Sequence, residues 1–201
     1  MRYGMVIDVK RCVGCNSCTL ACQMENGTPP GIHYHRVEKH EVGKYPAARL
    51  QFRPMPCMHC QEPACLTVCP TGATYKRPDG IVMIDHEKCI GCRYCVLACP
   101  YESRHSLRQI DNYFGPGTVT PFEAIKHNDL DKGTAVKCNF CVTRLEQGKL
   151  PACVETCPAQ ARYFGDLDDP QSEVSMLIVS KGGTVLKEEL GTKPSVYYIN
   201  G

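Results

Sequence analysis

The stretch Cys89-Ile-Gly-Cys92-Arg-Tyr-Cys95-Val-Leu-Ala-Cys99-Pro100 holds four cysteines with the spacing C-x2-C-x2-C-x3-C. The same spacing occurs near the N-terminus, in Cys12-Val-Gly-Cys15-Asn-Ser-Cys18-Thr-Leu-Ala-Cys22. Two further groups are longer variants, whose middle gap widens to four residues in one and to eleven in the other: Cys57, Cys60, Cys65 and Cys69, and then Cys138, Cys141, Cys153 and Cys157. Together the four groups use all 16 cysteines of the chain.

Groups of this kind are typical of [4Fe–4S] clusters, which are held by four cysteine thiolates. Three closely spaced cysteines surround one side of a cluster, while the fourth lies a helical turn further on and points to the other cluster of a pair. Proline follows the last cysteine in three groups, at Pro70, Pro100 and Pro158, and ends the helical turn; Gln23 takes that place in the first group. The sequence therefore predicts four [4Fe–4S] clusters.

Disulfides and zinc are the alternatives for so many cysteines. Disulfide scaffolds belong to secreted chains, but the N-terminal residues 1–8 show neither the apolar region nor the cleavage site of an export signal. Zinc ribbons use pairs of C-x2-C that are ~15–20 residues apart, not runs of four cysteines. No apolar run approaches the ~18 residues of a membrane span, so we expect no direct membrane span and no export signal in the chain itself.

The charge of the chain also fits clusters. The formal net charge is +2 with neutral thiols, whereas four clusters with their thiolates, each roughly −2, would shift it by about −8. Basic residues beside the cysteine groups can offset that charge, although each one could equally be an ordinary solvated residue: Lys10, Arg11, Lys88, Arg93, Lys137 and Arg144. Basic and acidic residues are interspersed without a basic stripe, which argues against nucleic-acid binding.

Strand and turn signals flank the cysteine groups. The apolar stretches Met5–Asp8 and Val82–Asp85 precede the first and third groups, and the turn Pro78-Asp79-Gly80 predicts a hairpin between residues 71–75 and 81–85. We therefore predict an α+β fold of two fused bacterial-ferredoxin-like dicluster modules in a pseudo-twofold arrangement, with short strands and helices and long connecting loops.

The predicted boundaries follow from pairing the groups within one four-cluster domain, residues 1–201. Module A, residues 53–100, contains the second and third groups, and module B, residues 1–30 plus 132–166, contains the first and fourth. Residues 101–131 are interpreted as an irregular insertion. The tail, residues 167–201, is expected to form a helix near 172–180 and a strand around 195–199, and residues around 50–52 are expected to be strand-like.

Within each module we predict that the last cysteine of each group is exchanged between the two clusters. The four predicted ligand sets are Cys12, Cys15, Cys18 and Cys157; Cys138, Cys141, Cys153 and Cys22; Cys57, Cys60, Cys65 and Cys99; and Cys89, Cys92, Cys95 and Cys69.

The chain resembles the four-cluster iron–sulfur subunits of molybdopterin oxidoreductases, the family of dimethyl sulfoxide, polysulfide, thiosulfate, tetrathionate and respiratory arsenate reductases. The resemblance spans the whole chain and rests on the first and third groups quoted above, on Cys-Met-His-Cys-Gln-Glu-Pro-Ala-Cys (57–65), Cys-Pro-Thr-Gly-Ala (69–73), Lys-Cys-Asn-Phe-Cys (137–141), Pro-Ala-Cys-Val-Glu-Thr-Cys-Pro (151–158) and Phe-Gly-Asp-Leu-Asp-Asp-Pro (164–170). Relatives in nitrate reductases carry a Trp in the third group. Here that group is complete, so the resemblance implies four [4Fe–4S] clusters.

The resemblance also implies a function and partners. The chain would pass single electrons between a quinol-linked membrane anchor subunit and a large catalytic subunit that carries the molybdopterin cofactor. It would be membrane-associated and extracytoplasmic by co-export with the catalytic partner, with the cytoplasmic face as the other option. The residues show no catalytic motif, because every cysteine belongs to a cluster group and no nucleophile–base pair or nucleotide-binding loop is present. The alternative function is a free-standing soluble polyferredoxin.

Several aromatic and histidine residues lie beside the groups. His59 is expected to lie next to a cluster or at the surface rather than to bind iron. His33, His35 and His40 are interpreted as part of a solvated face. Tyr94 and Tyr101 are expected to pack over a cluster and limit the access of water, although core packing alone would explain them as well.

Overall fold

Short strands and short helices are spread along the whole chain. The computed structural model describes all residues 1–201. The strands are β1 (Tyr3–Asp8), β2 (Arg36–Val42), β3 (Arg49–Met55), β4 (Thr74–Lys76), β5 (Val82–Ile84), β6 (Arg104–Ser106), β7 (Ala135–Lys137), β8 (Arg162–Asp166) and β9 (Val196–Ile199). The helices are α1 (Ser17–Asn26), α2 (Ala64–Thr67), α3 (Tyr94–Leu97), α4 (Pro121–Lys126), α5 (Val142–Glu146), α6 (Ala152–Glu155) and α7 (Glu173–Lys181). The predicted α+β class with short elements is confirmed.

The two ends of the chain meet in one three-stranded sheet. Strand β1 lies in the middle, antiparallel to β8 and parallel to β9. Its residues Met5 and Ile7 face the main core, while Val6 packs with Val174 of α7 and Ile199 of β9 on the other face. Because both faces are covered, β1 is apolar throughout its centre. The tail therefore completes the sheet, with its helix and strand where the sequence predicts them.

Two hairpins lie outside this sheet. Strands β4 and β5 pair antiparallel across the turn that contains Asp79 and Gly80, and Gly80 has φ +82°. This is the hairpin that the Asp-Gly turn predicts, and it joins the second and third cysteine groups. Strands β2 and β3 pair antiparallel in a second hairpin, which agrees with the strand-like character expected around residues 50–52.

The interpretation of residues 101–131 as irregular is wrong for two parts of this segment. Strand β6 lies at its start and pairs antiparallel with β7, and helix α4 lies near its end. The helix starts at a capping box: Thr120 accepts a hydrogen bond from the N–H of Glu123, while the Glu123 carboxylate accepts one from the N–H of Thr120. Thr-Pro followed by Glu is thus a helix start here, not a loop signal.

Cysteines of the first, second and fourth groups form part of the main core. Five cysteines (Cys18, Cys22, Cys57, Cys138 and Cys153) belong to the largest cluster of buried apolar side chains. These cysteine loops are therefore part of the core itself. No helix in the structure is long and apolar enough to cross a membrane.

Candidate cluster-binding sites

The loops of the first and third groups have the same backbone conformation. Gly14 and Gly91, each before the second cysteine of its group, have φ +68° and +67°. Asn16 and Arg93, each after that cysteine, are also left-handed and immediately precede α1 and α3. Left-handed residues let a short loop curl tightly, and glycine adopts this conformation without strain. The equal spacing of the two groups therefore reflects equal loop geometry.

The second and fourth groups match each other in the same way and meet at the centre of the molecule. His59 and Phe140 each precede the second cysteine of their group, and they have φ +42° and +55°. Their rings stack with centroids 3.7 Å apart, and both side chains are fully buried. The Nδ1 atom of His59 accepts a hydrogen bond from the N–H of Val82 at 3.1 Å. His59 thus packs at the junction of two cysteine loops and does not lie at the surface.

Three of the four predicted ligand sets each line one enclosed cavity. We call these places site 1 (Cys12, Cys15, Cys18 and Cys157), site 3 (Cys57, Cys60, Cys65 and Cys99) and site 4 (Cys69, Cys89, Cys92 and Cys95). In each site three cysteines come from one group and the remaining cysteine comes from the partner group. The exchanged thiols are those of Cys157, Cys99 and Cys69.

The remaining set, Cys22, Cys138, Cys141 and Cys153, is called site 2 and is wholly buried. Helix α1 packs against α6 there, which brings Cys22 beside Cys153. Burial raises the pKa of Cys22 well above its usual value, and the negative charges of Cys138, Cys153 and Cys141 raise it further. The four thiols are therefore close enough to repel one another when ionised.

The sites follow one another in the order 1, 2, 3, 4. Sites 1 and 2 adjoin through Cys18 and Cys153, and sites 2 and 3 adjoin through Cys138 and Cys57, since each pair is close enough for charge repulsion between the thiols. Sites 3 and 4 adjoin where α2 packs against α3. The sites thus form a row through the molecule.

The sites fit clusters better than single ions or disulfides. All 16 cysteines are free thiols. No three His, Cys, Asp or Glu side chains converge closely enough to hold a single metal ion, as a zinc site with Zn–S distances of about 2.3 Å would require. Thiols that line one cavity without converging on one point suit a larger body with several metal atoms.

Several buried thiols of the sites would be protonated without metal. Burial is the main cause that raises the pKa of Cys60 and of Cys138 to about 12, and that of Cys141 to about 11. Cys69 differs: burial raises its pKa, but hydrogen bonds from Thr74 and Thr71 together outweigh burial and lower the pKa to about 7. Since iron binds thiolates, loading of the sites must release protons.

Three buried cations lie beside these sites, and their lack of partners shows whether the residues present fit a negatively charged group. Arg104, Lys137 and Arg162 are only 3%, 5% and 4% exposed. None of them forms an ion pair with a carboxylate. Nε and Nη2 of Arg104 and Nε of Arg162 are buried without any hydrogen-bond partner. Unpaired buried charges cost several kcal/mol, so a strong negative group in the adjoining sites fits the residues present.

Backbone amides also face the cysteine sulfurs. The N–H groups of Thr74 and Ala161 donate to the sulfurs of Cys69 and Cys157, at 3.5 and 3.4 Å. The N–H of Ala135 donates to Cys89 at 3.4 Å. Hydrogen bonds to the ligand sulfurs stabilise negative charge and are one means by which a protein sets a cluster potential.

The expectations for the aromatic and histidine residues have mixed outcomes. Tyr101 is buried, lines site 3 and donates its hydroxyl to the carbonyl of Leu186. Tyr94 is 57% exposed at the start of α3 and is not among the residues that line the site 4 cavity. The interpretation of His35 as solvated is wrong: it is buried and accepts a hydrogen bond from Nη1 of Arg162 at 2.6 Å.

Sequence reasoning included Lys137 among the basic residues but missed Arg104 and Arg162. Lys10, Arg11, Lys88 and Arg93 are exposed, which agrees with the surface alternative for them. The sequence does contain a signal for these two arginines. Each is the fifth residue after the last cysteine of a group, Cys99 for Arg104 and Cys157 for Arg162. Each is also the first residue of a strand, β6 or β8.

Comparisons with known proteins agree with this geometry. Two family models match, and both are described as a 4Fe-4S dicluster domain; one covers residues 48–113 and 117–167, and the other covers residues 11–73. With 16 cysteines, two dicluster domains fit four [4Fe–4S] clusters. Fold and sites therefore define an iron–sulfur electron-transfer protein of the dicluster ferredoxin class.

Proteins with a similar sequence identify the family of this chain. The chain is 48% identical to a subunit of the selenate reductase from Mesobacillus selenatarsenatis, over 99% of this chain and 72% of the relative. It is 41% identical to the iron–sulfur subunit of an arsenate respiratory reductase from a Shewanella species, over 99% and 96%, and 38% identical to one of the polypeptides of the polysulfide reductase from Wolinella succinogenes, over 98% and 94%. The protein belongs to the family of iron–sulfur subunits of the dimethyl sulfoxide, polysulfide, tetrathionate and arsenate type of molybdopterin respiratory reductases. It is an electron-transfer subunit of a multisubunit oxidoreductase.

Proposed function

We propose that sites 1 to 4 each bind one [4Fe–4S] cluster through the four cysteines defined above, and that the chain relays single electrons along this row. One observation carries the proposal. The four sites adjoin one another in space in the order 1, 2, 3, 4, and the only two exposed cysteines, Cys15 and Cys92, belong to the two end sites, 1 and 4. Site 2, whose cysteines are all buried, and site 3, whose cysteines are buried or half-buried, connect the ends. A row of this kind has one point of electron entry and one of exit.

The residues of the chain hold, screen and shield the clusters. When bound, each cluster supplies a one-electron redox couple. The cysteines hold the iron, the backbone amides of residues such as Thr74 and Ala161 donate to their sulfurs, and buried side chains such as Tyr101 keep water out of the inner sites. Module A would hold sites 3 and 4, and module B would hold sites 1 and 2, with the boundaries predicted from the sequence.

The surface at each end of the row supports docking of a partner. Beside site 1 the exposed apolar side chains are Val13, Leu20 and Met24, and beside site 4 they are Ile90, Tyr94 and Leu97. We propose that one end meets a large molybdopterin catalytic subunit and the other a quinol-linked membrane subunit, as the relatives' status as subunits of reductases suggests. The complex would lie at the membrane, on its extracytoplasmic face.

The experiment is anaerobic purification with co-purifying partners, followed by measurement of iron, sulfide and molybdenum. About sixteen iron and sixteen sulfide per chain, with one molybdenum or tungsten in a large partner present in equal amount, is the expected result. The same iron in a chain without a large partner would instead establish the alternative, a free-standing polyferredoxin. Zinc in place of iron would contradict both.

A further inference from the structure

The three buried cations lie in three different places along the row of sites. Arg162 lines the cavity of site 1. Strand β8, which begins at Arg162, packs against α6, which carries Cys153 of site 2. Arg162 therefore stands between sites 1 and 2, close to thiols of both.

Arg104 occupies the equivalent position in the other half of the molecule. It lines the cavity of site 3. Strand β6, which begins at Arg104, packs against α3, which carries Cys95 of site 4. Its Nη1 donates to Thr74 at 3.0 Å, while Nε and Nη2 stay without a partner. Arg104 thus stands between sites 3 and 4.

Lys137 lies at the junction of the two halves. Its Nζ donates to the carbonyl of Val82 and, at 2.7 Å, to that of Cys138. Cys138 belongs to site 2, and Val82 lines the cavity of site 3. Lys137 thus stands between sites 2 and 3.

We propose that Arg162, Lys137 and Arg104 place one positive charge in each of the three gaps between neighbouring clusters and so raise the reduction potentials of the two clusters that flank each gap. The inference rests on the proposed cluster assignment. The three are positioning residues that act on the potential and do not bind iron.

The physical reason is the charge of the reduced form. One-electron reduction makes a cluster with its thiolates more negative by one unit, so a nearby cation stabilises the reduced form more than the oxidised form. The interior screens this attraction far less than water does. Because a cation in a gap acts on both neighbours, it raises both potentials together and leaves the difference between them nearly unchanged.

The test is a set of three variants of the intact complex, Arg162→Gln, Lys137→Gln and Arg104→Gln, with potentiometric titration followed by EPR. Each variant should lower the potentials of its two flanking clusters: sites 1 and 2, sites 2 and 3, and sites 3 and 4, respectively. We expect the ratio of reduced to oxidised cluster at a fixed potential to fall about tenfold, which is 59 mV for a one-electron couple. Sites 2 and 3 should respond to two variants each, and sites 1 and 4 to one.

Controls separate charge from structure. Arg104→Lys and Arg162→Lys keep the charge and should leave the potentials near those of the unsubstituted protein. Lys88→Gln removes a charge on a side chain that is 65% exposed next to Cys89, and it should change the site 4 potential little, because solvent screens it. Equal shifts for Lys88→Gln and Arg104→Gln would overturn the inference, as would potentials that do not follow the neighbour pattern.

Loss of clusters in a variant is also informative. If a Gln variant binds less iron, the missing signals should be confined to the two sites that flank the substituted cation, and loss spread over all four sites would contradict the inference. An unsubstituted protein that binds no iron would instead refute the proposed function itself, so the two failures are distinguishable.

Discussion

Cys99 ends the third cysteine group, yet its thiol lines site 3 together with Cys57, Cys60 and Cys65. Burial raises the pKa of Cys99, and the charge of Cys57 contributes to the rise, so the two thiols are close. Proximity along the chain would place Cys99 with its own group, whereas the exchange predicted from the spacing places it in site 3. The exchange of the last cysteine therefore has its sharpest test at this residue.

We expect Cys99→Ser to damage the site 3 cluster and to leave the site 4 cluster intact, because a serine hydroxyl is a much weaker iron ligand than a thiolate. Iron should fall from about sixteen to about twelve per chain if the cluster is lost, and the EPR signal that disappears should be that of site 3. Cys69→Ser is the matched control and should affect site 4 instead. Loss of the site 4 signal in Cys99→Ser would show that the ligands are not exchanged.

Single residues also show which features of the sites can be predicted from the sequence and which cannot. The cysteines could be grouped correctly because their spacing is local, and a loop that surrounds a cluster imposes it. The burial of Arg104, Arg162 and His35 depends on which distant segments cover them, since Arg162 and His35 lie 127 positions apart and still form a hydrogen bond. Nothing in the residues around His35 distinguishes it from a solvated histidine.

At the scale of elements, the loops of the first and third cysteine groups each contain a glycine at positive φ. Gly91 precedes Cys92, and a Cβ atom there would lie 2.0 Å from the carbonyl oxygen of Gly133. That oxygen belongs to the backbone just before β7, which cannot move without displacing the strand. The close contact ties the loop of the third group to the segment that leads into the fourth.

Gly91→Ala should therefore lower stability by about 2–5 kcal/mol, as the sum of left-handed strain and overpacking, and should reduce the occupancy of site 4. Gly72→Ala is the matched control, because Gly72 has the same φ of +67° but no atom within 4 Å of its Cβ position. It should cost only about 1–2 kcal/mol. Midpoints of anaerobic thermal unfolding at one scan rate compare the two, and equal losses would show that the contact with Gly133 is unimportant.

Elements differ in how well local sequence predicts them. The hairpin of β4 and β5, helix α7 and strand β9 follow from turn signals and apolar patterns, and the structure has them where expected. Strand β6 was missed because its three residues carry no pattern of their own and are ordered by pairing with β7. The parallel pairing of β1 with β9 joins residues about 190 positions apart, which no local signal could indicate.

At the scale of the whole molecule, the row of sites has two ends, and each end lies beside its own set of exposed side chains. Exposed Cys15 at site 1 is accompanied by Leu20 on α1, which is 60% exposed, and exposed Cys92 at site 4 by Leu97 on α3, which is 83% exposed. If both ends dock partners, these apolar side chains become buried in two separate interfaces. Each interface should then be removable without the other.

We expect Leu20→Glu to release one partner and Leu97→Glu to release the other, because a carboxylate would be buried in the interface without a counter-charge. In each variant the affinity for that partner should be at least about tenfold weaker, which corresponds to about 1.4 kcal/mol. Val179→Glu is the control: Val179 is 85% exposed on α7, outside the four sites, so its substitution should leave the complex intact. Co-purification identifies the partner that is lost, and unchanged iron content shows that the row itself survives. If both variants lost the same partner, or neither lost one, the two ends of the row would not be the two docking surfaces, and electrons would have to enter or leave through an inner site.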